Sequence, residues 1–257
     1  MPIKSPTILA LDFDGVLCDG LLEYFQTSWR TYCQIWHSSV ETPPDGLDSR
    51  FYRLRPVIET GWEMPILIRA LLQDIPETRI VQNWSQVAAE LLAVEGLDGA
   101  DVGRKLDTVR DEWIASDLAS WLGLHRFYPG VVERLRSLLD SPVKLVIIST
   151  KEGRFIQQLF KQQGLEIPVA SIIGKEAKRP KYETLRQLGA SPDIQLWFVE
   201  DLLKTLVKTQ QESDLNQVKL FLADWGYNTP DQQESIRQNS SIHLLSLSQF
   251  VQDFSAW

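Results

Sequence analysis

The sequence is poor in the residues from which several functional classes are built. It holds two cysteines, three histidines and two methionines in 257 residues. Cys18 and Cys33 are too few for a disulfide framework, and reduced thiols in a cytoplasmic protein are the expectation. His37, His125 and His243 are scattered without metal-ligand spacing. No segment approaches the about 18 uninterrupted apolar residues of a membrane span. The apolar stretch near the start, MPIKSPTILALDFDGVL, is interrupted by two aspartates, so neither export nor insertion is indicated. There is no excess of positive charge: 26 Lys and Arg stand against 34 Asp and Glu, for a formal net charge of -8. The acids are spread along the chain, leaving no electrostatic footprint for nucleic acid or anionic lipid, and an anionic substrate would need a local positive pocket. G-x-S-x-G elbows, Walker loops and dinucleotide fingerprints are also missing, which removes other hydrolase and nucleotide-binding readings. Internal repeats and low-complexity tracts do not occur, and nothing specifies an oligomeric state.

What is present is an ordinary globular composition, 44% hydrophobic and 23% charged, in a chain long enough for a core of roughly 150 residues with a smaller second lobe. Short apolar runs at Thr7 to Phe13, Val143 to Ser149, Gln195 to Val199, Val218 to Ala223 and Ile242 to Leu245 read as buried strands. Helical patterns at Arg154 to Gln163, Tyr182 to Leu188 and Leu202 to Gln211 alternate with the later runs. A doubly wound α/β parallel sheet is the economical reading, with ligands expected beyond the strand carboxyl ends. The interval from about Leu21 to Phe127 differs. Its patterns, at Leu21 to Trp36, Trp62 to Leu72, Trp84 to Val94 and Leu106 to Leu118, are all helical. This predicts an inserted helical lobe, residues 20–127, within a core of residues 1–19 and 128–257. Tyr128-Pro129-Gly130 marks its exit and restarts a helix. Six of the nine tryptophans, Trp29, Trp36, Trp62, Trp84, Trp113 and Trp121, fall in this lobe, where core packing is the expected role.

Four chemical features follow one another along the core. Asp12-Phe13-Asp14-Gly15 sets two carboxylates at the end of the first strand, with a glycine that lets the chain turn. Such strings also occur in calcium loops, but an EF-hand needs further oxygen ligands, a closing Glu and flanking helices. The second strand ends in Ser149-Thr150-Lys151, whose hydroxyl and backbone N–H suit a phosphoryl oxygen, although a turn or helix cap would use the same residues. Gly174 to Lys181 gathers Lys175, Lys178, Arg179 and Lys181 next to a helix N-terminus, where cations oppose the helix dipole. Gln195 to Val199 ends in Glu200-Asp201, two acids whose burial is costly unless they are paired or bind a metal.

In this order the residues resemble the haloacid dehalogenase superfamily: DFDGVL its first motif, VIIST its second, the lysine segment its third and WFVED its fourth. The resemblance covers Thr7 to Val16 and about Tyr128 to Leu245, and the helical lobe is similar to the cap that many members insert after the first motif. It implies an Mg2+-dependent phosphatase with Asp12 as nucleophile and Asp14 as general acid and base. Ser149 would bind the phosphoryl group, assisted by Thr150. Asp12, the Asp14 carbonyl, Glu200 and Asp201 would hold the metal. Lys181, at the start of its helix in the pattern Lys-x-x-x-Leu-x-x-Leu, fits the lysine role best. Arg179-Pro180 stands where many members carry Lys-Pro, which leaves Lys178 and Lys175 as alternatives.

The chemistry is coherent without the name. A carboxylate is repelled by a dianionic phosphate, so an all-oxygen Mg2+ site and a cation are needed to let it approach. Within the superfamily that the sequence resembles, an Asp at the position of Asp14 implies phosphate esters rather than halides or carbon–phosphorus bonds. Water is the default acceptor, with a phosphomutase as the alternative, and a catalytically silent relative that binds a ligand or partner is a third reading. A large cap implies a small phosphorylated metabolite, and the resemblance suggests phosphoglycolate or a sugar phosphate as family-level examples. Arg53 and Arg55, with Arg69 behind them, are its candidate substrate cations, against the plainer expectation that they pair with Glu59 or Glu63. Trp62 beside Gly61 is a candidate lid residue, and Cys18 reads as a small residue packed near the hinge.

Overall fold

The computed structural model describes residues 5–38, 40, 42–191, 193–237 and 241–257. The chain divides into two compact units, residues 1–19 with 126–257 and residues 20–125. In chain order, β1 (Ile8–Leu11) and β2 (Cys18–Asp19) open the first unit. The second unit comprises α1 (Leu21–Ile35), α2 (Leu47–Leu54), α3 (Glu63–Leu72), α4 (Glu77–Glu95), α5 (Gly99–Ser116) and α6 (Leu118–Leu122). The first unit then resumes with β3 (Arg126–Phe127), α7 (Val131–Leu139), β4 (Lys144–Ile148), α8 (Gly153–Gln162) and β5 (Ile172–Ile173). It continues through α9 (Lys181–Leu188), β6 (Leu196–Glu200), α10 (Leu203–Gln210), β7 (Lys219–Ala223), α11 (Pro230–Arg237), β8 (Ile242–Leu245) and α12 (Leu247–Phe250).

Six strands form one sheet in the order β5-β4-β1-β6-β7-β8, and every pairing in it is parallel. β1 and β6 are buried along their whole length, which explains their unbroken apolar sequences, because helices cover both faces of such a sheet. Leu11 is level with Ile147 on one side and Val199 on the other. That register brings Asp12, Ser149 and Glu200 to one edge, the carboxyl ends of three adjacent strands. The four-residue β1 is shorter than the predicted run because Phe13 to Gly15 leave the ladder in a tight turn. There the N–H of Gly15 donates to Cys18 O, and those of Leu17 and Cys18 donate to Phe13 O. Gly15 adopts φ +85°, the left-handed region in which a β-carbon is disfavoured.

β2 and β3 pair antiparallel, Cys18 with Phe127 and Asp19 with Arg126. This ribbon is why the first unit resumes at residue 126 rather than at the predicted 128. Cys18 is fully buried in it.

The second unit is all helical. Trp29, Trp84, Trp113 and Trp121 are buried, while Trp36 and Trp62 are half-buried. Glu23, fully buried, accepts through Oε1 from Arg110 Nε at 2.8 Å, Thr27 Oγ1 at 2.6 Å and Trp121 Nε1 at 3.1 Å, so α1 and α5 are tied by a buried charged pair. Asn83 interrupts α4 with φ -139° and ψ 37°, which is why the periodicity before Trp84 escaped the sequence reading. Among the described residues no helix is long and apolar enough to cross a membrane.

Candidate active site

Asp12 follows β1 directly, its N–H donating to Val199 O at 3.0 Å. Its Oδ1 accepts from the Phe13 N–H at 2.7 Å and meets Lys181 Nζ at 2.8 Å. The same ammonium lies 2.7 Å from Glu200 Oε2. Glu200 Oε1 accepts from the N–H groups of Asp201 and Leu202, so the carboxylate is clamped at both oxygens. Asp201 Oδ2 accepts from the Tyr227 N–H at 2.8 Å. The Asn228 side chain ties the Asp201 and Ala223 carbonyls together. Gly15 and Gly226 flank Asp201 closely: a β-carbon on Gly226 would lie 2.3 Å from Asp201 Cβ and 2.6 Å from Gly15 O. Two glycines are required there because the chain passes against the acid.

Asp12, Glu200 and Asp201 are all buried, with carboxylate oxygens within 4.8 Å of one another. Burial, with Glu200 adding to it, pushes the Asp12 carboxyl up to about 8 against the pull of Lys181. Burial likewise raises Glu200, and the two acids raise Lys181 despite its own burial. One ammonium is thus shared between two buried acids, with Asp201 beside them. A hard divalent cation fits this set: the donors are all carboxylate oxygen, they converge, and a 2+ charge would offset the burial and the repulsion from Glu200 that hold Asp12 high.

Asp14 extends from the turn, and Lys151 Nζ lies 3.3 Å from its Oδ1. Ser149, buried at the end of β4, accepts from the Lys151 N–H through Oγ at 3.1 Å, and its own N–H donates to Ile173 O. Thr150 is exposed. Of the three candidate lysines, Lys181 alone reaches the carboxylates; Lys175 and Lys178 are exposed. Arg179 Nε donates to Thr184 Oγ1 at 2.9 Å.

The cations of the second unit are engaged locally. Arg53 pairs with Glu77 at 3.2 Å and Arg69 with Glu95 at 2.6 Å. Arg55 donates to Ile58 O and lies over the Tyr24 ring. For Arg53 the partner is Glu77, while Glu63 turns back to accept from the N–H groups of Glu59 and Thr60. Trp62 packs against Gly99, where a β-carbon would lie 3.2 Å from its ring.

No protein-family model matches this sequence, and no curated protein matches it. Solved structures do match. A Lactobacillus delbrueckii subsp. bulgaricus protein provisionally named phosphoglycolate phosphatase superposes with a TM-score of 0.60 at 13% identity, over 95% of this chain and 96% of the other. A predicted phosphatase from Clostridium acetobutylicum gives 0.58 at 15% identity, over 96% and 97%. A haloacid dehalogenase-like family hydrolase from Streptococcus pneumoniae gives 0.53 at 12% identity, over 93% and 94%. The fold is that of the haloacid dehalogenase-like hydrolases.

Within this haloacid dehalogenase-like fold, four contacts were not foreseen from sequence. Lys151 stood in the Ser149-Thr150-Lys151 string without a role, yet it reaches Asp14. Tyr227 and Asn228 bind Asp201, and Trp225 Nε1 donates to Val16 O at 3.1 Å. These last residues follow β7 at the same edge of the sheet. Reading the segment after every predicted strand, rather than after the charged ones alone, would have found them.

Proposed function

We propose that this protein is an Mg2+-dependent phosphatase of small phosphorylated metabolites, acting in the cytoplasm. The observation that carries the reading is the convergence of Asp12, Glu200 and Asp201 within 4.8 Å, with Lys181 bridging two of them. Asp14 and Ser149 stand at the same edge of the sheet. Asp12, the Asp14 carbonyl, Glu200 and Asp201 are the proposed ligands of Mg2+, which when bound would neutralise carboxylate and phosphoryl charge.

Asp12 is the nucleophile: a carboxylate oxygen forms a bond to phosphorus as the bond to the leaving oxygen breaks, giving an aspartyl-phosphate. Asp14 hands its proton to the leaving oxygen, then takes one from the water that cleaves the intermediate, so phosphate leaves and both acids are regenerated. Lys181 stabilises charge on Asp12 and on the transferring group, and the Ser149 hydroxyl with the Thr150 N–H orients that group. Lys151 holds Asp14 in place through the attack. The second unit is proposed to supply specificity, with Arg53 and Arg55 among the donors that contact the leaving group.

Purified protein should release phosphate from members of a panel of phosphorylated metabolites in the presence of Mg2+, and Asp12→Asn should not. No turnover above that variant on any compound, with folded protein and bound Mg2+, would overturn the reading. Transfer to a second sugar hydroxyl without phosphate release would make it a mutase instead.

A further inference from the structure

A cleft of about 120 Å³ opens between the end of β4 and the loop that leads into α9, lined by Ser149, Thr150, Lys175, Lys178, Arg179 and Lys181 among others. Four of these are cations, and no carboxylate lines it. The loop's one acid, Glu176, is engaged elsewhere: both of its oxygens accept from the Gly153 N–H, at 3.1 and 3.2 Å. Lys181 is neutralised by Asp12 and Glu200. Lys178 and Arg179 are not neutralised, and among the described residues neither has a carboxylate partner. Arg179 is nonetheless anchored, and Lys178 stands at a constrained point of the backbone. Arg179 is held by the buried, neutral hydroxyl of Thr184. Lys178 is held in a left-handed backbone conformation, φ +49°, which side-chain-bearing residues adopt rarely and which concentrates at functional sites. The positive end of the α9 dipole adds to the same field, and no side chain caps that helix. Like charges gathered at such a position repel one another, and an anion seated among them would relieve that repulsion.

We propose that this cleft binds a second anionic group of the substrate, a carboxylate or phosphate carried on the leaving alcohol, with Lys178 and Arg179 as its ligands. This deepens the phosphatase reading and rests on it: Ser149 and Lys181 line both the reaction site and the cleft, so one small molecule spans them. The substrate class is then a phosphomonoester with a second negative charge close to the ester.

The test compares 2-phosphoglycolate with ethyl phosphate, and 1,3-propanediol bisphosphate with 3-hydroxypropyl phosphate, by kcat/KM. The wild type, Lys178→Ala and Lys178→Ala with Arg179→Ala are assayed, with folding checked by circular dichroism. At least one anionic member should be preferred by about tenfold or more, the scale of a charge-assisted contact. That advantage should shrink in Lys178→Ala and vanish in the double variant, with rates on the neutral esters changed less than about twofold. An absent preference, or one that survives the double variant, overturns the proposal. Calorimetry with pyrophosphate, malonate and inorganic phosphate separates the remaining cases. If no ester turns over, the phosphatase reading fails by itself; the cleft then stands if pyrophosphate or malonate binds the wild type and not the double variant, and falls if both bind equally. Inorganic phosphate binding that depends on Lys178 and Arg179, with no preference among esters, identifies a site for the free ion and overturns the substrate claim.

Discussion

Lys181 Nζ lies 2.8 Å from Asp12 Oδ1 and 2.7 Å from Glu200 Oε2, so one ammonium from the first turn of α9 neutralises acids at the ends of two neighbouring strands. Its removal should therefore be felt in stability as well as in turnover. Lys181→Met leaves two buried carboxylates facing one another and should destabilise the metal-free protein by about 3 kcal/mol in urea unfolding. Lys175→Ala, at an exposed position, should stay within about 0.5 kcal/mol of the wild type. Equal effects from the two substitutions would mean that Lys181 is only a surface cation.

The pH dependence of the metal-free protein follows from Asp12. Its folded value of about 8 lies above that of an unfolded aspartate, about 3.9. The folded state therefore holds the extra proton between those values, and stability falls as pH rises from about 4 through 8. Asp12→Asn removes this loss. In EDTA at pH 8.5 the variant should melt about 2–4 °C above the wild type, roughly 1 kcal/mol for a chain of this size, with the gap closing toward pH 4. A wild type that melts higher than the variant at pH 8.5 would contradict the geometry.

Divalent metal should reverse the order. Saturating Mg2+, at about 100 times its dissociation constant, should add about 2.7 kcal/mol to the wild type and show as a concentration-dependent rise in Tm. Glu200→Gln should lose most of that rise, and EDTA should abolish turnover until Mg2+ is restored. An identical Mg2+ response in Glu200→Gln would place the metal elsewhere.

Gly226 gives a steric test of the same acid. Gly226→Ala would force a β-carbon to within 2.3 Å of Asp201 Cβ, and overpacking of this kind costs about 1–3 kcal/mol. Because the displaced side chain is a proposed metal ligand, Mg2+ affinity should fall at least about tenfold. Gly103→Ala, inside α5 with its nearest neighbour at 3.6 Å, should instead stabilise by about 0.5–1 kcal/mol. Calorimetric titration of both variants would check the pair.

Much of the core was legible in the residues themselves. Leu9, Ala10 and Leu11 announce a strand buried on both faces, and the aspartates that end the run mark its carboxyl edge. Ile172 and Ile173 were not readable as a strand because two residues carry no period. The ribbon of Cys18 with Phe127 joins residues more than a hundred positions apart, and no local pattern encodes it. In the helical unit the break at Asn83 hid the first turns of α4, and Leu47–Leu54 is a helix too short for periodicity to declare.

The sequence by itself determined the alternation of buried strands and helices, and with it the edge of the sheet at which Asp12, Asp14, Ser149, Glu200 and Asp201 stand, because burial and pleat are local consequences of residue type. It left three lysines open for one role. Only the tertiary structure decided among them, and it also brought Lys151 to Asp14, Tyr227 to Asp201 and Glu176 to the start of α8. Each of these contacts depends on how separate loops converge after the sheet has assembled. A cation's partner is set by distance in space, and spacing along the chain does not carry that distance.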